Sequence, residues 1–194
     1  MRFTSQIVGQ KQSLEFLKRL GTVGQQAIVR ATNNAGRRAT TLANREIREQ
    51  VNLKARYVRE QLKVRKATHQ RVEFVITANK RGVLMARYPY SETRRGIRVR
   101  VKKGGPPKYI QGGFLALLKA GSKRVEVIAA PGERDGSGRR KRYRTGSPTI
   151  KVFYSPSVSQ VFNKTRDVIT PAVIRYYGDQ IDKELVRALR RVTK

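Results

Sequence analysis

Cysteine is absent from this sequence, tryptophan is absent, and histidine occurs once. The missing cysteines exclude disulfides, thiolate metal sites and a cysteine nucleophile. The lone histidine, His69, stands between Thr68 and Gln70 and has no second imidazole or thiol to share a metal with; it reads as a surface residue between a helix and a strand. No apolar run approaches the roughly 20 residues of a membrane span, so no membrane partner is expected. The first ten residues also lack the hydrophobic stretch of a secretory signal.

Acidic residues are the next scarcity. There are 13 Asp and Glu against 44 Lys and Arg, a formal net charge of +31 on 194 residues. A compact body so charged repels itself, and an anionic partner relieves the repulsion. The charge fixes the sign of that partner and not its identity: nucleic acid and acidic protein lead, and membrane headgroups, also anionic, come last.

Hydrolytic chemistry by paired carboxylates finds little support in so few acids. Asp179, Asp182 and Glu184 fall together on a helical segment beside Lys183 and Arg187. That spacing reads as ion pairing on a solvated helix face. Gly132, Gly136 and Gly138 lack both the strand-to-helix setting and the Gly-Lys-Ser/Thr ending of a phosphate loop. The expectation is a protein that is not an enzyme and takes no cofactor and no metal.

The chain order predicts an α+β fold in one domain over residues 1–194: a helical N-terminal part over 1–62, a mainly antiparallel β-sheet over 71–154 and C-terminal helices over 156–193. Residues 25–50 contain no proline, and Ile28, Ala31, Ala35, Ala39, Leu42 and Ile47 lie near one helical face. A stripe so rich in alanine permits close approach by another helix and buries little area alone. Ile28, Ala31, Ala35, Ala39 and Leu42 are therefore candidates for a subunit interface. Asn52 is a candidate N-cap for a shorter helix with Tyr57, Val58 and Leu62 on its apolar edge.

In the middle, Val72, Phe74 and Ile76 alternate with Glu73, Val75 and Thr77, and residues 83–88 form a second candidate strand. Ile97, Val99 and Val101 alternate strictly with Arg98, Arg100 and Lys102, one face apolar and the other cationic. Residues 109–118 fit either a strand or a helical turn, while 125–129 and 149–154 read as further strands. Between these last two, 131–148 is Gly- and Arg-rich and reads as a long exposed hairpin loop. Residues 156–164 predict a short helix, and Thr170-Pro171 the start of another, with Ile174, Tyr177, Ile181, Leu185, Leu189 and Val192 as its apolar stripe.

Two basic constellations are the candidate contacts for an anionic partner or DNA. The first is Arg94, Arg95, Arg98, Arg100, Lys102 and Lys103, in a stretch, 93–125, without any acid. Strand residues two apart project to one side about 7 Å from each other, a spacing that suits phosphates and a row of carboxylates alike. The second is Arg139, Arg140, Lys141, Arg142 and Arg144, with Tyr143 available to stack. No base-reading motif surrounds either, so a nucleic-acid contact would go to the backbone.

Several short segments resemble the minor tail protein Z family of tailed phages. They are Asn33-Asn34-Ala35-Gly36-Arg37-Arg38, then Ala43-Asn44-Arg45-Glu46-Ile47, the run 53–62, and Gly113-Phe114-Leu115-Ala116. The closing run Ser147-Pro148-Thr149-Ile150, Tyr154-Ser155-Pro156-Ser157-Val158 and Val161-Phe162 is similar to the family's closing motif, which usually has glycine where Ser155 stands. The resemblance spans 32–192, and the first thirty residues match nothing in it. It implies a structural virion protein of the phage neck and tail, assembled in the host cytoplasm, that completes the tail at its head-proximal end. It implies as partners the tail terminator, the head-tail connector and the tail tube, and a homo-oligomer in a hexameric ring. Non-specific contact with the packaged DNA end is a further expectation. The competing reading is a basic nucleic-acid-binding protein of ribosomal or nucleoid type that grips the phosphate backbone.

Overall fold

The structure is a computed structural model that describes residues 21–120, 123–132 and 150–192. The fold is α+β, with a long N-terminal helix, a long C-terminal helix and several small antiparallel sheets. Among the described residues the chain forms two compact units. One comprises 21–47, 58–79 and 159–192; the other comprises 48–57 and the described part of 80–158. The expected single sheet is replaced by two two-stranded and two three-stranded sheets.

The first unit is built on two helices. Helix α1, Gly21–Gln50, runs its full length without proline. Gly24, Ala27, Ile28, Ala31, Ala35, Gly36, Ala43 and Ile47 are buried along it, at the three- and four-residue spacings of one helical face. Ala31 and Ala35 pack with Tyr177, flanked by Tyr176 and Ile181 of α3, Val158–Val192. Small side chains on α1 let the tyrosines of α3 lie close against its backbone. Polar contacts set the register: Asn34 Nδ2 donates to Gln180 Oε1 at 3.1 Å, and Thr32 Oγ1 lies 3.5 Å from Tyr177 Oη. The stripe expected to serve a neighbouring subunit is thus corrected in part. Ile28, Ala31 and Ala35 are consumed within the chain, while Ala39 and Leu42 remain half-buried.

The same unit holds helix α2, Ala55–Gln61, which crosses into it at Val58, and the antiparallel pair β1, Leu62–Arg65, with β2, Val75–Ala78. The expected strand alternation beginning at Val72 is not followed. The ladder starts at Val75, and Phe74 instead lies against Gly36 of α1. Asn33 reaches to the connection between β1 and β2, where its side chain donates to the Ala67 carbonyl at 3.0 Å and accepts from the Ala67 N–H at 2.9 Å.

Helix α3 also departs from expectation. The sequence predicts a short helix and a new start at Thr170-Pro171; one helix runs through, with Pro171 inside it. Thr170 Oγ1 donates to the Arg166 carbonyl at 2.8 Å, and Pro171 is exposed. Water can therefore serve the Asp167 carbonyl that loses its helical donor. The buried face is set by Val161, Phe162, Thr165, Ile169, Tyr177, Glu184 and Ala188, and leaves Ile174 (44%) and Leu189 (41%) exposed.

The second unit is β-rich. Strand β3, Gly82–Leu84, gives way at once to a 3₁₀ turn at Met85–Arg87, which shortens the strand expected over 83–88. β4, Tyr90–Thr93, β5, Gly96–Val99, and β6, Lys108–Gln111, form one sheet in that order. β7, Phe114–Ala120, β8, Lys123–Pro131, and β9, Ile150–Val152, form another. Residues 109–118 thus resolve into two strands, parted by a turn at Gly112, where φ is +63°. β10, Tyr154–Ser157, pairs with β3. Val127, Ile128, Ala129 and Ala130 of β8 are all buried and form the spine of this unit. β7 is an edge: β8 occupies one side, the other side has no backbone partner among the described residues, and Leu117 is 67% exposed.

A cationic sheet face

The β4–β5–β6 sheet positions the first basic constellation. Ile97 and Val99 of β5 are buried, as are Val101 beyond it and Ile110 across from Ile97 on β6. Their burial turns the alternate residues outward, so Arg98, Arg100 and Lys102 are exposed. Arg94 and Arg95 form the turn between β4 and β5, also exposed. Thr93 Oγ1 closes that turn on the Gly96 carbonyl at 2.8 Å, and the Arg95 carbonyl accepts from the Gly112 N–H at 2.8 Å. Gly96 has φ +156°, and a Cβ there would run into the Ile110 carbonyl. Only glycine lets β6 approach β5 so closely at the turn.

Beyond Val99 the strand ladder stops, and another segment grips residues 100–103. Asn52 Nδ2 donates to the carbonyls of Arg100 (3.2 Å) and Lys102 (3.1 Å), and the Asn52 N–H donates to the Val101 carbonyl at 2.9 Å. The sequence pattern casts Asn52 as a helix cap; its amide instead spends both hydrogens on the cationic segment. Val51 pairs with Lys102, and the Lys103 N–H donates to the Gln50 carbonyl at 3.2 Å.

The charges differ in their surroundings. Lys103 Nζ lies 2.8 Å from Glu49 Oε2, with both side chains about half exposed. Such a pair in solvent contributes little to stability, but it removes Lys103 from the uncompensated set. Arg94, Arg95, Arg98, Arg100 and Lys102 have no ion pair among the described residues. Glu92 and Glu126 stand near Tyr90 of β4. Tyr90 Oη donates to Glu126 Oε1 at 3.1 Å, and partial burial followed by that carboxylate holds the phenol above its ordinary pKa.

The register adds one residue to the site that the basic pattern does not point to. Arg98 lies opposite Ser91 on β4 and opposite Tyr109 on β6. Directly opposed residues of an antiparallel pair share a face, so Tyr109, 49% exposed, stands beside Arg98. Arg139, Arg140, Lys141, Arg142 and Arg144 lie outside the described residues.

The acidic trio also needs correction. Asp179 and Asp182 are exposed, but Glu184 is only 4% exposed and takes the Arg187 guanidinium at 2.7 Å. It faces α1, where the small side chain of Ala27 leaves it room. No group of three or more metal-ligating side chains occurs among the described residues. None of the described helices is long and apolar enough to cross a membrane.

The family model of prophage minor tail protein Z matches residues 7–80 and 73–194. No curated protein matches the chain, and no solved structure matches it.

Proposed function

Because the chain belongs to the prophage minor tail protein Z family of structural phage tail proteins, we propose that it completes the tail at its head-proximal end as a neck component. Its copies assemble in the host cytoplasm into a ring, by expectation a hexamer, between the tail tube and the tail terminator or head-tail connector. A ring uses head-to-tail contacts that close, and each added copy multiplies the positive charge. Anionic surroundings in the particle then become a condition of assembly, and docking proceeds by complementary electrostatics without bond chemistry.

The row Arg94, Arg95, Arg98, Arg100 and Lys102 carries this reading: five exposed cations on β5, its leading turn and its extension, without a compensating acid in ion-pair range among the described residues. Half-exposed Ala39 and Leu42 are the part of the α1 stripe left for a neighbouring copy.

Labelling the protein in purified virions tests the role. Gold-labelled antibody is expected at the junction of head and tail, and tails made without the protein are expected to fail in joining heads until purified protein is added. Label at the distal tip or along the tube would refute the neck assignment.

The exposed Tyr109 beside Arg98 favours one second reading, a grip on a nucleic-acid backbone with a base stacked on the ring. Single-stranded DNA binding whose log–log salt slope falls by about 0.7 for each phosphate that Arg98→Gln and Arg100→Gln cease to neutralise would support it.

A further inference from the structure

In the first unit, Arg30, Asn33, Asn34 and Arg37 of α1 and Glu184 and Arg187 of α3 line an open cleft of about 460 Å³. We propose that this cleft receives an acidic side chain from a protein partner, with Arg30 and Arg37 as its clamp.

The polar floor is already committed. Both ends of the Asn33 amide are held by Ala67, and the Asn34 amide donates to Gln180. The buried Glu184 holds Arg187 from inside. Arg30 and Arg37 remain, exposed and without an ion pair among the described residues. They stand seven residues apart, about 10 Å along the helix. Three guanidiniums face one carboxylate, so the cleft is cationic and offers planar forks suited to a carboxylate.

Shape chooses between anions. The volume lies in the range of sites that enclose a small group, and a single projecting Asp or Glu can enter it. A duplex carries its phosphates on the outside of a broad cylinder that is too wide to enter a cleft of this size. Glu184 at the floor further disfavours the dense charge of a phosphate backbone. The site is separate from the cationic sheet of the second unit and does not depend on the neck role.

Full-length protein and a fluorescein-labelled hexaglutamate peptide test the proposal by anisotropy at fixed salt. Arg30→Gln/Arg37→Gln is compared with Arg98→Gln/Arg100→Gln, which removes the same charge elsewhere, and circular dichroism checks that each is folded. The cleft pair is expected to weaken peptide binding about tenfold more than the control pair, and duplex binding no more than the control does. Equal losses of peptide binding would reduce the effect to bulk charge and overturn the site, as would a loss confined to duplex. Glu184→Gln supplies an independent measurement. Removing the floor carboxylate is expected to tighten peptide binding several-fold, and unchanged or weaker binding by folded protein counts against the cleft.

Discussion

The ring of Phe74 occupies the space where a side chain on Gly36 would begin. Gly36 is the point on α1 where the aromatic ring reaches the helix backbone. Alanine is the better helix former by about 1 kcal/mol, but a methyl group here must displace an aromatic ring. Gly36→Ala is expected to destabilise by about 1–3 kcal/mol. In a Phe74→Ala background the same change should become neutral or stabilising, since the obstacle is gone and the propensity gain remains. Chemical denaturation of the four proteins in the cycle measures both signs.

Tyr88 and Ser155 share a buried hydrogen bond of 2.7 Å, and Ser155 Oγ also donates to the Pro156 carbonyl at 3.2 Å. Glycine at position 155 would leave the Tyr88 hydroxyl without this partner. Tyr88→Phe and Ser155→Gly are each expected to cost about 1 kcal/mol. Burial raises the Tyr88 phenol above its ordinary pKa; the bond with Ser155 opposes this, and Tyr57 adds to it. Because the folded value lies above the unfolded one of about 10, the contribution is complete below about pH 10 and is lost as the pH climbs through the folded value. Stability curves from pH 8 to 11 should fall more gently for Tyr88→Phe than for the parent.

Pro171 sits inside a 35-residue helix and on its exposed side. Pro171→Ala restores a donor and removes a ring from the path of the preceding turn. A gain of about 1–3 kcal/mol is expected in chemical denaturation. No gain would mean that a bend at this position makes contacts of equal worth.

Asn33 meets Ala67 with a donor and an acceptor at once. Asn33→Asp keeps the acceptor and turns the donor into a second oxygen facing the Ala67 carbonyl. The expected cost is about 1–3 kcal/mol. Hydrogen exchange at the Ala67 amide should accelerate more in Asn33→Ala, which gives up both bonds, than in Asn33→Asp.

Much of the architecture is legible from local pattern. The absence of proline over 25–50 locates α1, and the alternation from Ile97 to Lys102 locates both the buried and the cationic faces of β5 and its extension. These features depend on neighbours along the chain, which a sequence displays. What escapes depends on neighbours across the fold. The pattern around Phe74 has the period of a strand, yet Gly36, far away in the chain, draws the ring out of it. The Thr170-Pro171 start signal is overridden because solvent can satisfy the carbonyl that proline orphans. Asn52 carries the chemistry of a helix cap but meets two carbonyls of the cationic segment first. Glu184 has a charged partner three residues on, as a solvated face would, and only the small residues of α1 reveal that it points inward. Tyr109 enters the site through strand register alone.

The bare rim of β7 places two opposing demands on a free subunit. Its apolar run invites another strand to lie alongside, while the charge of +31 keeps like molecules from approaching. Salt screens the second influence and leaves the first intact. Concentrated stocks of the isolated protein should therefore turn cloudy as salt is added, and a Leu117→Lys substitution should keep them clear.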